Sequence, residues 1–402
     1  MRFIIHTQYY PPEIGAPQIR LSEFAERAVQ NGHEVTVLTA IPNYPLGRFY
    51  PGYKGFLKCE IKNGVRIIRT WIYPTKSVGR IQRLTNYFSF VFTSLFLGAV
   101  LLPKADYLIT ESPPLFLGFS GYLLSRLKKA RWIFNVSDLW PESAVRLGIV
   151  GNGFALRASE FLETFCYHKA SLITGQSKEI LENIKMKNRG ACTYHFSNGV
   201  DSSKFTPELR SVALHHELGE GAECVAIYAG LHGIAQGLEQ IIQAARLLTD
   251  LEQKLKIVFI GDGPEKESLM QQAKGLKLVK FLPPKPKEEI PRILASSDIA
   301  LVPLKIYIPG AVPSKLYEAM ASALPVILVA EGEATSILNE SQAGIAIPPG
   351  KVDDIAQALR QLTLDSELRQ ELGKKGRIAV KKRFDRQEIV SNFLHFLEKQ
   401  LC

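Results

Sequence analysis

The chain has 402 residues, 46% of them hydrophobic and 22% charged, with a formal net charge of +10. That length is too great for one ordinary core and suits two domains of roughly 150–200 residues each, in a composition typical of a folded soluble protein. The five cysteines, Cys59, Cys166, Cys192, Cys224 and Cys402, are odd in number and include no CxxC pair, which argues against a disulfide framework and a thiolate zinc site and fits a reducing cytoplasm. Arg2–Gln8 reads as a first strand, with apolar Phe3-Ile4-Ile5 and no signal-peptide pattern before it, so a cytoplasmic protein is expected. Pro17–Gln30 follows with apolar residues at helical spacing, Gly32 ends that helix, and Glu34–Thr39 is the next strand. Further strands are predicted at 65–71, 107–110, 132–136 and 172–174, with helices over 116–129, 154–169 and 178–187. Several of these strands are continuously apolar, as in a parallel sheet covered on both faces.

The rhythm restarts after Ser197-Asn198-Gly199-Val200-Asp201. Strands are predicted at 224–228, 256–260, 279–282, 299–302 and 325–329, alternating with helices over 236–249, 265–273, 287–295 and 314–322. Two successive βα arrays imply an α/β protein of two doubly wound domains facing across a cleft. The expected domains are 1–197, joined by a C-terminal helix over 386–402, and 198–385.

The positive excess lies wholly in the first half, where residues 1–200 hold 24 Lys/Arg against 13 Asp/Glu, while residues 201–402 hold 25 against 26. Within 51–83, eight basic residues stand against Glu60 alone. Such a block points to an anionic partner (phospholipid head groups, a lipid pyrophosphate or nucleic acid) or is a solvated basic face. From Leu84 to Pro103 no residue is charged, and Arg80, Arg83 and Lys104 bracket the stretch. It reads as a helix partly packed on the sheet and partly dipping into lipid, as an ordinary buried helix, or as a span of the bilayer.

In a doubly wound sheet, chemistry belongs to the loops at the carboxyl ends of the strands. The first such loop, Tyr9–Pro17, lacks GxGxxG, so a dinucleotide oxidoreductase loses its support. Gly15 would let a ligand approach the backbone at a helix start, or simply belong to a Pro/Gly turn. At Pro313-Ser314-Lys315-Leu316-Tyr317-Glu318, free amides, the Ser314 hydroxyl and the Lys315 ammonium are pooled at a helix start. That suits a diphosphate leaving group, and Glu318, on the same helical face as Lys315, could take ribose hydroxyls; the plain alternative is a surface Lys–Glu pair. The loops Gly230–Gly237 and Gly261-Asp262-Gly263-Pro264 each follow a strand and open a helix. Asp138, at the end of the strand over 132–136, is a general base or orienting carboxylate, or else a turn cap. No Asp-x-Asp occurs, which argues against a metal-chelating glycosyltransferase of single-domain type.

Together these residues resemble family 4 of the retaining glycosyltransferases, of GT-B architecture. The resemblance runs over essentially the whole chain, carried by YYPPEIGAPQIRLSEFA, NGHEVTVLTAIPNYPLG, DLWPES, SNGVD, AGLHGIAQGLE, GDGPEKESL and PSKLYEAMA. It is most similar to the branch serving colanic acid, capsule and O-antigen assembly, which includes N-acetyl-L-fucosaminyltransferases. The resemblance implies that Gly15 lies near the donor phosphates and reacting centre, Asp138 on the acceptor side where many members have His, Gly261 and Gly263 beside the nucleoside, and Glu318 on the ribose. Two departures matter. The family's glutamate eight residues before Glu318 is here Gly310, whose neighbourhood would offer backbone amides instead. The Arg and Lys that clamp the diphosphate in the loop after Gly230 are Leu231 and Gln236, which leaves Lys315 as the phosphate cation. The implied activity is retaining transfer of a hexose-type sugar from a nucleotide diphosphate, a UDP-sugar first, to an undecaprenyl-pyrophosphate-linked saccharide. The implied route is attack from the leaving-group face, with the departing phosphate oxygen taking the acceptor proton. No metal and no cofactor are expected, the anionic inner face of the cytoplasmic membrane is an expected partner, and nucleic acid is not. The rival expectations are a GT-B sugar-nucleotide epimerase and a non-catalytic protein that binds anionic membranes.

Overall fold

The computed structural model describes residues 1–13, 15–76, 79–146 and 153–401; Ile14 of the first loop and Cys402 lie outside the described residues. The chain divides into two units, Met1–Asn198 with Val390–Cys402, and Gly199–Ile389. In the first unit the elements run β1 (Arg2–His6), α1 (Ala16–Gln30), β2 (Glu34–Ala40), β3 (Leu57–Lys62), β4 (Val65–Thr70), α2 (Arg80–Leu101), β5 (Tyr107–Ser112), α3 (Leu117–Lys128), β6 (Arg131–Val136), α4 (Glu142–Arg146), α5 (Phe154–Lys169), β7 (Leu172–Gly175), α6 (Lys178–Lys187) and β8 (Thr193–His195). They form one sheet in the order β3-β4-β2-β1-β5-β6-β7-β8, parallel except where β3 pairs antiparallel with β4. Every residue of β5 and all but the first of β2 are buried, because helices cover both faces of a parallel sheet.

The basic block is more structured than its charge suggests. Its middle folds into the β3–β4 hairpin through Asn63-Gly64, both at positive φ (51° and 78°), the pairing that a two-residue hairpin turn requires. Arg69 consequently turns inward, bonding Glu60 at 2.7 Å and the Pro11 carbonyl at 2.6 Å, and Lys58 lies over the Tyr53 ring. The Arg69 charge is thus spent inside the fold, whereas Lys58, partly exposed, is engaged at the surface by Tyr53 and the Gly52 carbonyl.

In the second unit the order along the chain is α7 (Val212–Gly219), β9 (Cys224–Ala229), α8 (Glu239–Arg246), β10 (Leu255–Ile260), α9 (Lys266–Gln272), β11 (Val279–Leu282), α10 (Ile290–Ala295), β12 (Ile299–Pro303), α11 (Ser314–Ala321), β13 (Val326–Val329), α12 (Glu333–Ser341), β14 (Gly344–Ile347), α13 (Val352–Leu364) and α14 (Ser366–Ala379). The sheet is wholly parallel, β11-β10-β9-β12-β13-β14. The helix expected over 236–249 starts only at Glu239, because a 3₁₀ turn over Ile234–Gln236 is closed by Gly237 at φ 57°. The last helix, α15 (Arg386–Leu401), belongs to the first unit from Val390 onward. There Phe393 packs 5.8 Å from Phe24 and 4.7 Å from Phe196, and Tyr107 donates to the Leu397 carbonyl at 2.8 Å.

Each sheet has one place where successive strands stop extending it in one direction and start extending it in the other. In the first unit that switch point lies between β1 and β5, in the second between β9 and β12. Splayed loops at such points leave the crevice in which doubly wound sheets take their ligands.

Candidate functional site

In the second unit, the loops that leave β9 and β10 are tied to each other. The Gly230 amide donates to the Ile260 carbonyl at 2.8 Å, the His232 amide to the Asp262 carbonyl at 2.9 Å, and the Glu265 amide to the His232 carbonyl at 3.0 Å. The approach is so close that a Cβ on Gly261 would stand 1.9 Å from the Gly230 carbonyl oxygen, and one on Gly263 would stand 2.4 Å from that of His232. The first physical reason for these glycines is therefore loop against loop, before any ligand arrives.

Across the switch point, α11 begins after Gly310 and Pro313 with Ser314 as its first residue. Lys315 reaches back to the β9 loop: a Cβ on Gly230 would lie 2.6 Å from its Nζ. That Nζ sits 5.6 Å from the centre of the Tyr228 ring, so Lys315 is engaged with the loop rather than paired with Glu318 at the surface. Glu318 and Lys315 both line a small cleft with Ala229 at the end of β9. Gln236 folds back over Gly233, its Oε1 buried and without a hydrogen-bond partner. The fold thus brings Gly230, Gly261, Gly263 and Lys315 together, and sets a lysine ammonium beside the positive end of a helix. That combination attracts an anion. A larger cavity of about 460 Å³ lies at the opposite, amino-terminal edge of this sheet, lined by Pro325, Asp298 and Arg210. None of the residues singled out from the sequence lines it, and Arg210 is held there by Asp298 at 2.9 Å.

In the first unit a cavity of about 320 Å³ opens at the switch point, lined among others by Tyr9, Gly15, Gln18, Tyr44, Tyr87 and Glu111. Gly15 is extended (φ 176°), and a Cβ there would meet only the end of the Gln18 side chain. Glu111 is buried on the floor, where Arg20 Nη2 donates to both its oxygens at 3.1 Å and Arg20 Nη1 to Asn198 Oδ1 at 2.6 Å. Ser137 and Asn135 also donate to the Glu111 carboxylate. Burial holds the Glu111 carboxyl above its ordinary range, outweighing the opposing pull of Arg20 and these donors. Sequence reading passes over Arg20 and Glu111: arginine in a helix and glutamate at a strand end look like surface residues until the fold buries them against each other.

The tyrosine walls are set by another carboxylate. Buried Glu13 accepts the amides of Asn43 at 2.9 Å, Tyr44 at 2.8 Å and Tyr10 at 3.3 Å, tying the Asn43–Tyr44 loop to the first one. Burial pushes its carboxyl from 4.5 up to about 7, outweighing the three amides and Arg69. A carboxyl raised in the folded state favours folding in its neutral form, an advantage complete below about pH 4.5 and lost as pH rises through about 7. Between these values the wild type is expected to lose on the order of 3 kcal/mol of stability that Glu13→Gln does not lose. Denaturation midpoints of both proteins across that window check this, and parallel profiles would show that Glu13 stays ionised throughout.

Asp138 lies two residues beyond β6. Its carboxylate accepts from the Ser143 hydroxyl at 2.5 Å, and burial raises its pKa. With the Leu139 amide as its second donor, it is held within its own loop, and it is not among the residues lining the cavity with Gly15. Among the described residues no group of three His, Cys, Asp or Glu side chains is placed to hold a metal ion.

Residues 216–379 match the family described as "Glycosyl transferases group 1", and residues 15–190 match the "Glycosyl transferase 4-like domain". The chain is 27% identical over 376 residues to WcaI of Escherichia coli K12, whose name assigns it as a glycosyl transferase to colanic acid biosynthesis; the match covers 90% of this chain and 92% of that protein. Among solved structures, sucrose-phosphate synthase from Thermosynechococcus elongatus shares the fold with a TM-score of 0.78 at 18% identity, covering 100% and 99% of the two chains. HepE from Anabaena, solved with UDP-glucose, does so with a TM-score of 0.72 at 16% identity, covering 99% and 100%.

Proposed function

We propose that this chain, which has the GT-B fold and matches a glycosyl transferase 4-like model in its first unit and a group 1 glycosyl transferase model in its second, is a family 4 glycosyltransferase that moves a sugar from a nucleoside diphosphate, a UDP-sugar in the first instance, onto a saccharide carried by undecaprenyl pyrophosphate, with retention at the anomeric carbon. The observation that carries this reading is Lys315, held against the Gly230 backbone at the start of α11, where negative charge on a departing diphosphate would be met. Ser314, Gln236 and the amides near Gly310 complete the donor contacts, with Glu318 taking the ribose and the Gly261–Gly263 loop bordering the nucleoside. In the first unit the aromatic cavity beside Gly15 takes the acceptor saccharide. Asp138, which the resemblance assigns to the acceptor side beyond the residues lining this cavity, orients the acceptor hydroxyl, whose proton passes to the departing phosphate oxygen. The product would enter colanic acid, capsule or O-antigen assembly.

The test incubates membranes carrying defined lipid-linked acceptors with a panel of labelled sugar nucleotides. Label should pass into lipid, at full rate in excess EDTA, since no Asp-x-Asp pair exists to hold a cation between the phosphates. An epimerised nucleotide sugar formed without acceptor would favour the epimerase reading. Rates abolished by EDTA and restored by magnesium would overturn metal independence.

The acceptor's lipid implies a membrane-facing surface, and α2 supports one. Phe88, Phe92, Phe96 and Val100 recur at every fourth residue and so share a stripe, with Phe92 55%, Phe96 68% and Val100 80% exposed. The helix is long and apolar enough to cross a bilayer. It packs beside α3, which packs beside α5, and right-handed crossovers set all three on one face of the sheet. Phe119 and Leu127 on α3 and Phe154 and Phe161 on α5 add to the same exposed apolar layer. Such a layer with basic residues nearby attaches a protein peripherally, each lysine or arginine adding ~1 kcal/mol near an anionic surface. The protein should sediment with phosphatidylglycerol vesicles far more than with phosphatidylcholine, and salt should weaken this. Reversing Lys54, Lys62, Lys76 and Arg83 should release it; the side chain of Arg80 lies outside the described residues. Phe92→Glu with Phe96→Glu should release it as well. Binding to neither vesicle would overturn the membrane reading and favour a soluble acceptor.

A further inference from the structure

His232 is wholly buried, yet neither ring nitrogen has a hydrogen-bond partner. The Ile260 carbonyl favours a protonated ring but makes no hydrogen bond of acceptable geometry with it. The ring packs edge-on against Phe259 at 6.4 Å and Phe281 at 6.1 Å, with Tyr228 at 6.0 Å. In that aromatic cluster a phenyl ring would pack as well, without two polar atoms cut off from water. The imidazole therefore carries a cost that no contact in the free protein returns.

Its position indicates what would return it. The backbone of His232 is fixed by Asp262 and Glu265, and its Nε2 lies 3.2 Å from where a Cβ on Gly261 would stand. Only a glycine loop thus separates the ring from the carboxyl edge of the sheet, the ligand edge. Phe259 and Phe281 belong to β10 and β11, whereas Lys315 follows β12, with β9 between. Lys315 Nζ stands 5.6 Å and the His232 ring 6.0 Å from the centre of the Tyr228 ring, so cation and imidazole lie within about 12 Å of each other. A nucleoside extending from a diphosphate at Lys315 spans such a distance.

We propose that His232 is a specificity-determining residue of the donor site, whose imidazole hydrogen-bonds the nucleoside of a bound nucleoside diphosphate once the Gly261–Gly263 loop gives way around it. This rests on the donor-site reading above. Burial and nearby Lys266 keep the ring neutral, so it carries one donor and one acceptor for the ligand.

The test compares wild type with His232→Phe, binding UDP and inorganic pyrophosphate by calorimetry. The variant should melt no lower than wild type, bind UDP about tenfold more weakly, and bind pyrophosphate unchanged. Equal UDP affinity in the two proteins would make His232 a core residue and overturn the inference. An equal loss for UDP and pyrophosphate would do the same, since it reports a deformed loop. Should the variant melt lower, wild-type protein with ¹³C-labelled histidine decides: the His232 ring resonance must shift on saturation with UDP and stay put with pyrophosphate. If wild type binds none of UDP, GDP, dTDP and ADP, the donor-site reading fails first and this inference falls with it.

Discussion

Lys315→Ala is expected to lower turnover by ~10²–10³, the loss that follows removal of one preorganised group meeting charge that develops in the transition state. The position is chosen by what surrounds it. Leu231 and Gln236 bring no positive charge to the loop after β9, and Lys315 is the side chain in contact with the Gly230 backbone at the start of α11. Its ammonium is half-buried over Tyr228, where a charge interaction is screened less than in water. Lys315→Arg should recover only part of the rate, because the larger guanidinium cannot take the place of the compact ammonium held close against the Gly230 backbone. Stopped-assay rates at saturating donor separate turnover from affinity. More than about half the wild-type rate in Lys315→Ala would overturn the assignment.

Arg20→Ala should have the largest effect on stability, about 3–5 kcal/mol in the first unit, because it leaves Glu111 buried without its cation. Arg20 and Glu111 are only 1% and 2% exposed, so water cannot take over the lost contacts. Protonation of Glu111 limits the cost, and the deficit should therefore shrink toward low pH. The double variant Arg20→Met with Glu111→Leu should regain most of the stability, since apolar groups of similar size need no partner. Its activity then shows whether Glu111 does more than balance a charge: a stable but inactive double variant means that the carboxylate on the cavity floor serves the acceptor. Urea denaturation of the three proteins at two pH values checks the ledger, and an Arg20→Ala protein as stable as wild type would refute it.

The α/β class and most strands were legible because a parallel sheet buried on both faces leaves continuous apolar runs, as in Tyr107–Thr110 and Lys256–Ile260, and because βα alternation admits few topologies. Where local pattern and helix-breaking geometry compete, the sequence misleads: the apolar period over 236–249 hides a 3₁₀ turn that Gly237 closes. The Asn63-Gly64 hairpin hides inside a segment whose charge draws the eye. The candidate loops could be picked as glycine turns after strands and as a helix start carrying Lys315, since those signals are local.

That Gly230, Gly261 and His232 meet, that Lys315 lies across Gly230 rather than beside Glu318, and that Arg20 and Glu111 are buried together is not local information. Those pairs stand from about 30 to 90 residues apart: Gly261 meets the loop after β9 because β9 and β10 are sheet neighbours, whereas Lys315 meets Gly230 and Arg20 meets Glu111 because the two sheets reverse their winding at β9/β12 and β1/β5. The sequence by itself determined which residue types are available for anion binding and which stretches are apolar enough to build the sheets. Tertiary structure alone decided which charges are spent inside the fold and which buried polar groups still lack a partner, because burial and pairing depend on what the rest of the chain packs against each side chain.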